Sequence, residues 1–152
     1  MKKIVYLLII CLLIIVGCSN GSFDKQEFIN KATDNGYILE ENKSGYEAYQ
    51  YIKSIYYAIN RENAYDIQFL ELENDDYAKR FFILNADTIK EKITNSDYKK
   101  SKSFADYEVF HAENDVEYLN VIRSKNNIIY IDAPIGYINE IEEFLEDLQI
   151  DY

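Results

Sequence analysis

Few side chains in this chain of 152 residues are equipped for chemistry. There is one histidine, His111, with Glu108 three residues before it and Glu113 two after. A general base must lie within hydrogen-bond reach of a nucleophile and be oriented by a further group. No G-x-S-x-G turn supplies a nucleophile near it in sequence. One imidazole with scattered acids also falls short of the three or four ligands a zinc site needs. The acids Glu140, Glu142, Glu143, Glu146 and Asp147 crowd one stretch, with Glu142 and Glu146 four apart. Calcium takes six to eight oxygens gathered by a bent loop, so carboxylates strung along a straight helix read as a solvated face. Beyond residue 17 only Gly21, Gly36, Gly45 and Gly136 occur, too few and too scattered to cradle a phosphate. No catalytic residue, metal or cofactor is expected. The rival enzyme reading is a cell-surface hydrolase using His111 with its nearby acids.

The two thiols lead elsewhere. Lys2 and Lys3 precede a fourteen-residue uncharged run, Ile4 to Gly17, which holds Cys11 and ends at Cys18. A positive start, a short apolar core and small residues before a cut describe a secretory signal peptide. The run is shorter than the roughly 20 apolar residues that span a bilayer. Ile15-Val16-Gly17-Cys18 resembles the lipobox of bacterial lipoproteins. That resemblance implies a diacylglyceryl thioether on Cys18 and cleavage after Gly17. It implies residues 1–17 as signal peptide, 18–22 as lipidated cysteine and short tether, and 23–152 as one domain. The expected location is the cell membrane, lipid-anchored and facing outside the cytoplasm. Two acyl chains hold stably where one does not. The Ile, Asn, Lys and Tyr usage is that of an AT-rich genome, which favours a single-membrane, Gram-positive cell surface. The region after Cys18 also resembles small lipoproteins without assigned activity, in its helix start at Asp24 and its Tyr-rich strand.

With 16 basic and 27 acidic residues the chain carries −11, and loss of Lys2 and Lys3 takes it to −13. Nucleic-acid binding rests on Lys and Arg at phosphates, so that partner class is excluded. With Cys11 lost and Cys18 acylated, neither a disulfide nor a free thiol remains, and stability must come from packing.

Fourteen tyrosines and eight phenylalanines follow residue 17, more rings than a domain of this size readily hides. Tyr is favoured at recognition surfaces because its body is apolar and its tip polar. In the strand 49–59, Tyr49, Tyr51, Ile55, Tyr57 and Ile59 share one face and Ile52, Tyr56 and Ala58 the other. The larger set is assigned to the core. Tyr56 is then expected outside, beside Tyr118 and Tyr130, as the candidate binding face. The function expected is a non-enzymatic binding module for a protein, peptide or envelope component. A structural or inhibitory partner of another exported protein is the third reading.

Periodicity supplies the elements that position these residues. Asp24 with Glu27 makes a capping box, flanked by Phe23 and Phe28 as a staple, for a helix over 24–35. Strands follow at 37–39, 49–59 and 65–72, where Leu70 and Leu72 switch parity and suggest a bulge or a twist. Asn74 caps a long helix with the stripe Ala78, Phe82, Ala86, Ile89, Ile93, widened by Phe81 and Leu84. A polar loop, 94–103, carries Lys99, Lys100 and Lys102. Strands over 104–112, 116–123 and 128–133 and a helix with Ile138, Ile141, Leu145 and Leu148 complete the chain. The expected class is α+β: a mostly antiparallel sheet of about five to six strands, helices on one face, in the order α-βββ-α-βββ-α.

Overall fold

The structure, a computed structural model, describes residues 21–93, 98–104 and 106–150. The segment 1–17 read as a signal peptide, Cys18 and the first part of the expected polar loop lie outside the described residues.

Helix α1 (Lys25–Asp34) starts where Asp24 Oδ1 accepts the backbone N–H of Glu27 at 2.8 Å, which satisfies one of the donors a helix start leaves open. Gly36 ends it at φ +80, and a Cβ there would sit 2.5 Å from the Arg61 guanidinium. The conformation requires glycine there, whereas the exposed Arg61 side chain could move aside. Next come β1 (Ile38–Glu41), β2 (Ile52–Ile59), β3 (Asp66–Leu72) and helix α2 (Asp75–Lys92). Four strands follow, β4 (Tyr98–Phe104), β5 (Tyr107–Glu113), β6 (Glu117–Ser124) and β7 (Asn127–Pro134), then helix α3 (Ile138–Asp147). All seven strands form one antiparallel sheet in the order β1-β2-β3-β7-β6-β5-β4. Two meanders meet at its centre, where β3 pairs with β7.

The α+β class holds, and three finer expectations are corrected. The sheet has seven strands, and the order is α-βββ-α-ββββ-α. The added strand is β4, within the segment read as a polar loop. Its sequence, Tyr-Lys-Lys-Ser-Lys-Ser-Phe, has no apolar alternation, because an edge strand needs only one backbone partner and lysines deter a second.

Helices also cover both faces of the sheet, not one. Phe28 and Ala32 of α1 and Ile141, Phe144 and Leu145 of α3 pack with Ile67, Phe69, Ile122 and Ile131. On the opposite face Ala78, Phe82, Ala86 and Ile89 of α2 pack with Leu70, Leu72, Leu119 and Val121. Strands apolar at both parities are what two-sided burial demands. Leu70 and Leu72 therefore mark no bulge in β3; they belong to its second face. The irregularity lies across from them: Ile52 pairs with Leu72 and Ser54 with Glu71, which leaves Lys53 extra on β2. That extra residue shifts Ile52 onto the Ile55 face, away from Tyr56 and Ala58. Phe81 is half-buried and Leu84 is 67% exposed, so the core stripe of α2 is narrower than expected.

Folded structure begins before Phe23. Gly21 is buried at φ +52, and a Cβ there would lie 2.5 Å from the Tyr107 ring. The tether read as 18–22 is thus already fixed at Gly21.

Candidate functional site

The segment between β1 and β2 is built from turns. Asn42 Oδ1 accepts the Ser44 N–H at 2.8 Å, and Gly45 takes φ +88. Backbone N–H groups of Tyr46, Tyr49 and Ile52 donate to the carbonyls of Lys43, Tyr46 and Tyr49 at 2.9, 2.9 and 3.0 Å. Such i→i+3 bonds fix the chain without making it regular, and they set the tyrosines in a row. The Tyr46 and Tyr49 ring centroids are 6.0 Å apart, and those of Tyr49 and Tyr51 are 5.7 Å apart. Glu73 N–H donates to Tyr51 O at 2.8 Å, which brings the start of α2 alongside. There Asn74 caps the helix by accepting the Tyr77 N–H at 3.0 Å. Tyr77 then stacks on Tyr51, with centroids 4.8 Å apart and planes 8° from parallel, an arrangement aromatic pairs favour when offset.

Tyr51, Tyr77, Arg80, Phe81 and Leu84 line a cleft of about 240 Å³ beside α2. Tyr49 at its rim is 46% exposed, and Ile83 and Leu84 on the helix are 56% and 67% exposed. Tyr46, Tyr57 and Tyr130 are half-buried and pack against the core beneath. Burial holds the Tyr46 hydroxyl above its ordinary pKa, with the Asp66 carboxylate adding to it. The cleft offers ring faces, phenol hydroxyls and one guanidinium, groups suited to apolar and anionic contacts.

The expected binding face does not form. Tyr118 is fully buried under α1 and α3, Tyr56 is half-buried on that same face, and Tyr130 points to the α2 side. Because helices cover both faces, no open side remains on which the three could meet. Of the set assigned to the core, Ile55 is buried and Tyr51, Tyr57 and Ile59 are half-buried, but Tyr49 emerges. The sequence did hold a signal for the observed cluster. Asn74 places Tyr77 in the first helical turn, and the Asn42–Gly45 breaker makes Tyr46 and Tyr49 loop residues, not strand residues.

His111 lies on β5 with 2% of its surface exposed. Its Nε2 is 3.0 Å from Glu113 Oε2, and its ring is 4.7 Å from that of Tyr118. Glu108, the other acid near it in sequence, belongs to the opposite face and bonds Arg123 Nε at 2.5 Å. On α3, Glu140, Glu143, Glu146 and Asp147 are exposed. No group of three or more His, Cys, Asp or Glu among the described residues is arranged to hold a metal ion. No described helix is long and apolar enough to cross a membrane.

Away from the cleft, the Tyr37 and Tyr65 hydroxyls lie 2.7 Å apart in a buried pair. Burial pushes Tyr37 up to about 12, and Tyr65 is raised by burial and by its bond to Tyr37. Burial likewise raises Tyr118. In the unfolded chain tyrosine ionises near pH 10. The neutral pair therefore contributes its full stability below about pH 10 and loses it as pH rises toward about 12. Tyrosinate absorbance should accordingly appear in two stages, exposed rings first and these three only as the fold is lost. A single stage centred near pH 10, with circular dichroism intact, would contradict this.

Comparison of the chain with protein-family models, with curated proteins and with solved structures returns no match in any of the three.

Proposed function

We propose that this protein is a lipid-anchored lipoprotein acting outside the cytoplasm as a non-enzymatic interaction module, with the aromatic cleft beside α2 as its contact surface. The observation that carries this is the turn-held row Tyr46-Tyr49-Tyr51-Tyr77, open along Tyr49 and Leu84. Contiguous exposed apolar surface on a monomer marks a contact site, and Tyr and Arg lead among residues that dominate interface energies. Burial of His111 favours this reading over the hydrolase. The anchor rests on Ile15-Val16-Gly17-Cys18.

Two measurements test it. Cys18→Ala should leave an unlipidated precursor that retains residues 1–17, seen in the intact mass; a wild-type chain with a free Ser19 amine, or cut elsewhere, refutes the anchor. Sedimentation with envelope fragments of a chain beginning at Ser19, which lacks the lipid, should fall several-fold for Tyr51→Ala and Tyr77→Ala. Tyr56→Ala and His111→Ala should sediment as wild type. Equal sedimentation of all four, each verified as folded by circular dichroism, would remove the cleft from the reading.

A further inference from the structure

We propose that the aromatic cluster rests on the lipid–water interface of the same membrane that holds Cys18. The inference depends on the anchored reading above and names the partner of that cleft.

The strand pairing defines one end of the sheet. Ile52 faces Leu72, Glu71 faces Asn127, Ser124 faces Asn127 and Tyr107 faces Ser124, so these residues share that end. The chain enters the fold there: Gly21 is wedged against Tyr107, and Asn127 Nδ2 donates to Phe23 O at 2.9 Å. Cys18 precedes Gly21 by three residues, a reach of at most about 11 Å even when fully extended. An acylated Cys18 thus holds this end close to the bilayer.

The tyrosines occupy the same end. Tyr49 and Tyr51 immediately precede β2, and Tyr77 stands in the first turn of α2, which starts just after Leu72. Tyrosine is enriched at the headgroup level of membranes, where its ring meets the acyl boundary and its hydroxyl stays wet. Arg80 in the cleft supplies a cation for a phosphate. Two of the acids at this end, Glu71 and Asp75, have cationic partners. Lys25 and Lys53 each lie 3.8 Å from Glu71, Lys79 lies 2.6 Å from Asp75, and Asp75 also meets Arg123. The acid-rich α3 starts at the other end, where Tyr137 donates to Glu62 at 2.7 Å. With the tyrosine end against the bilayer, the start of that acidic helix stands away from anionic headgroups.

The chain contains no tryptophan, so one introduced indole reports alone. Full-length Tyr49→Trp and Val116→Trp chains, isolated from membranes, are reconstituted into phosphatidylglycerol–phosphatidylcholine vesicles carrying a headgroup nitroxide. Val116 is 67% exposed and lies at the far end, where Ile135 N–H donates to its carbonyl. Quenching several-fold stronger at Tyr49→Trp, with a blue-shifted emission, supports the proposal. Equal quenching at the two sites overturns it. So does quenching at Tyr49→Trp that requires added envelope protein, which would make a protein the occupant. The N-terminal mass of each sample is read first, so that a missing native lipid counts against the anchor alone. In that case a Cys11→Ser chain is coupled through the Cys18 thiol to a maleimide phospholipid, and the same comparison decides the docking.

Discussion

Arg123→Leu is expected to lower the melting temperature by roughly 10 °C, on a cost of about 3 kcal/mol for a domain of this size. Arg123 is 1% exposed. Its Nε bonds Glu108 of β5 at 2.5 Å, and its Nη1 bonds Asp75, the first residue of α2, and the Lys125 carbonyl at 3.1 Å. One guanidinium thus ties β5, β6 and the start of α2 together, with the planar fork that suits arginine to two carboxylates. Its removal leaves Glu108 and Asp75 facing each other without the charge between them. Breaking a buried pair from one side typically costs about 3–5 kcal/mol, and the lower figure applies because Asp75 is more than a third exposed and water can reach it. Asp75→Asn should cost clearly less, since a partly solvated amide still accepts from Nη1. Thermal unfolding by circular dichroism distinguishes them; an Arg123→Leu protein melting with wild type would show that the network contributes nothing net.

Phe82→Ala is the second large effect. Phe82 is 8% exposed, midway along α2, with Ala78, Ala86 and Ile89 on the same side against Leu119 and Val121. Truncation of a core Phe costs about 3–5 kcal/mol through lost transfer energy and the cavity left behind. Ile83→Ala and Leu84→Ala, the next two residues, should shift stability by less than about 0.5 kcal/mol because their side chains already face water. Chemical denaturation of the three variants gives three midpoints. Losses of similar size would mean that α2 presents another face to the sheet.

Local signals were legible wherever a single residue's chemistry decides the backbone. Asp24 and Asn74 announce helix starts, Gly36 an end, and the stripe Ala78–Phe82–Ala86–Ile89 the buried side of α2, because capping and 3.6-residue periodicity are short-range. β4 was hidden for the opposite reason. An edge strand is recruited by the backbone of its neighbour and leaves no apolar alternation to read. The parity of β2 was hidden as well, since one extra residue at Lys53 moves Ile52 to the other face. That slip, together with helices on both faces, is why Tyr56, Tyr118 and Tyr130 do not form a surface while Tyr49, Tyr51 and Tyr77 do.

By itself the sequence determined the α+β class, the start of each long helix, the acidic charge, and a lipobox-like cysteine. Each depends on composition or on neighbours a few residues apart. Only the tertiary structure decided the seven-strand order, the two covered faces and the partners of Arg123, all of which join residues tens of positions apart. The same holds for the aromatic cleft. Tyr51 and Tyr77 are separated by β2, β3 and the turns between them, and their rings stack only because the end of β3 returns α2 to the place where β2 began.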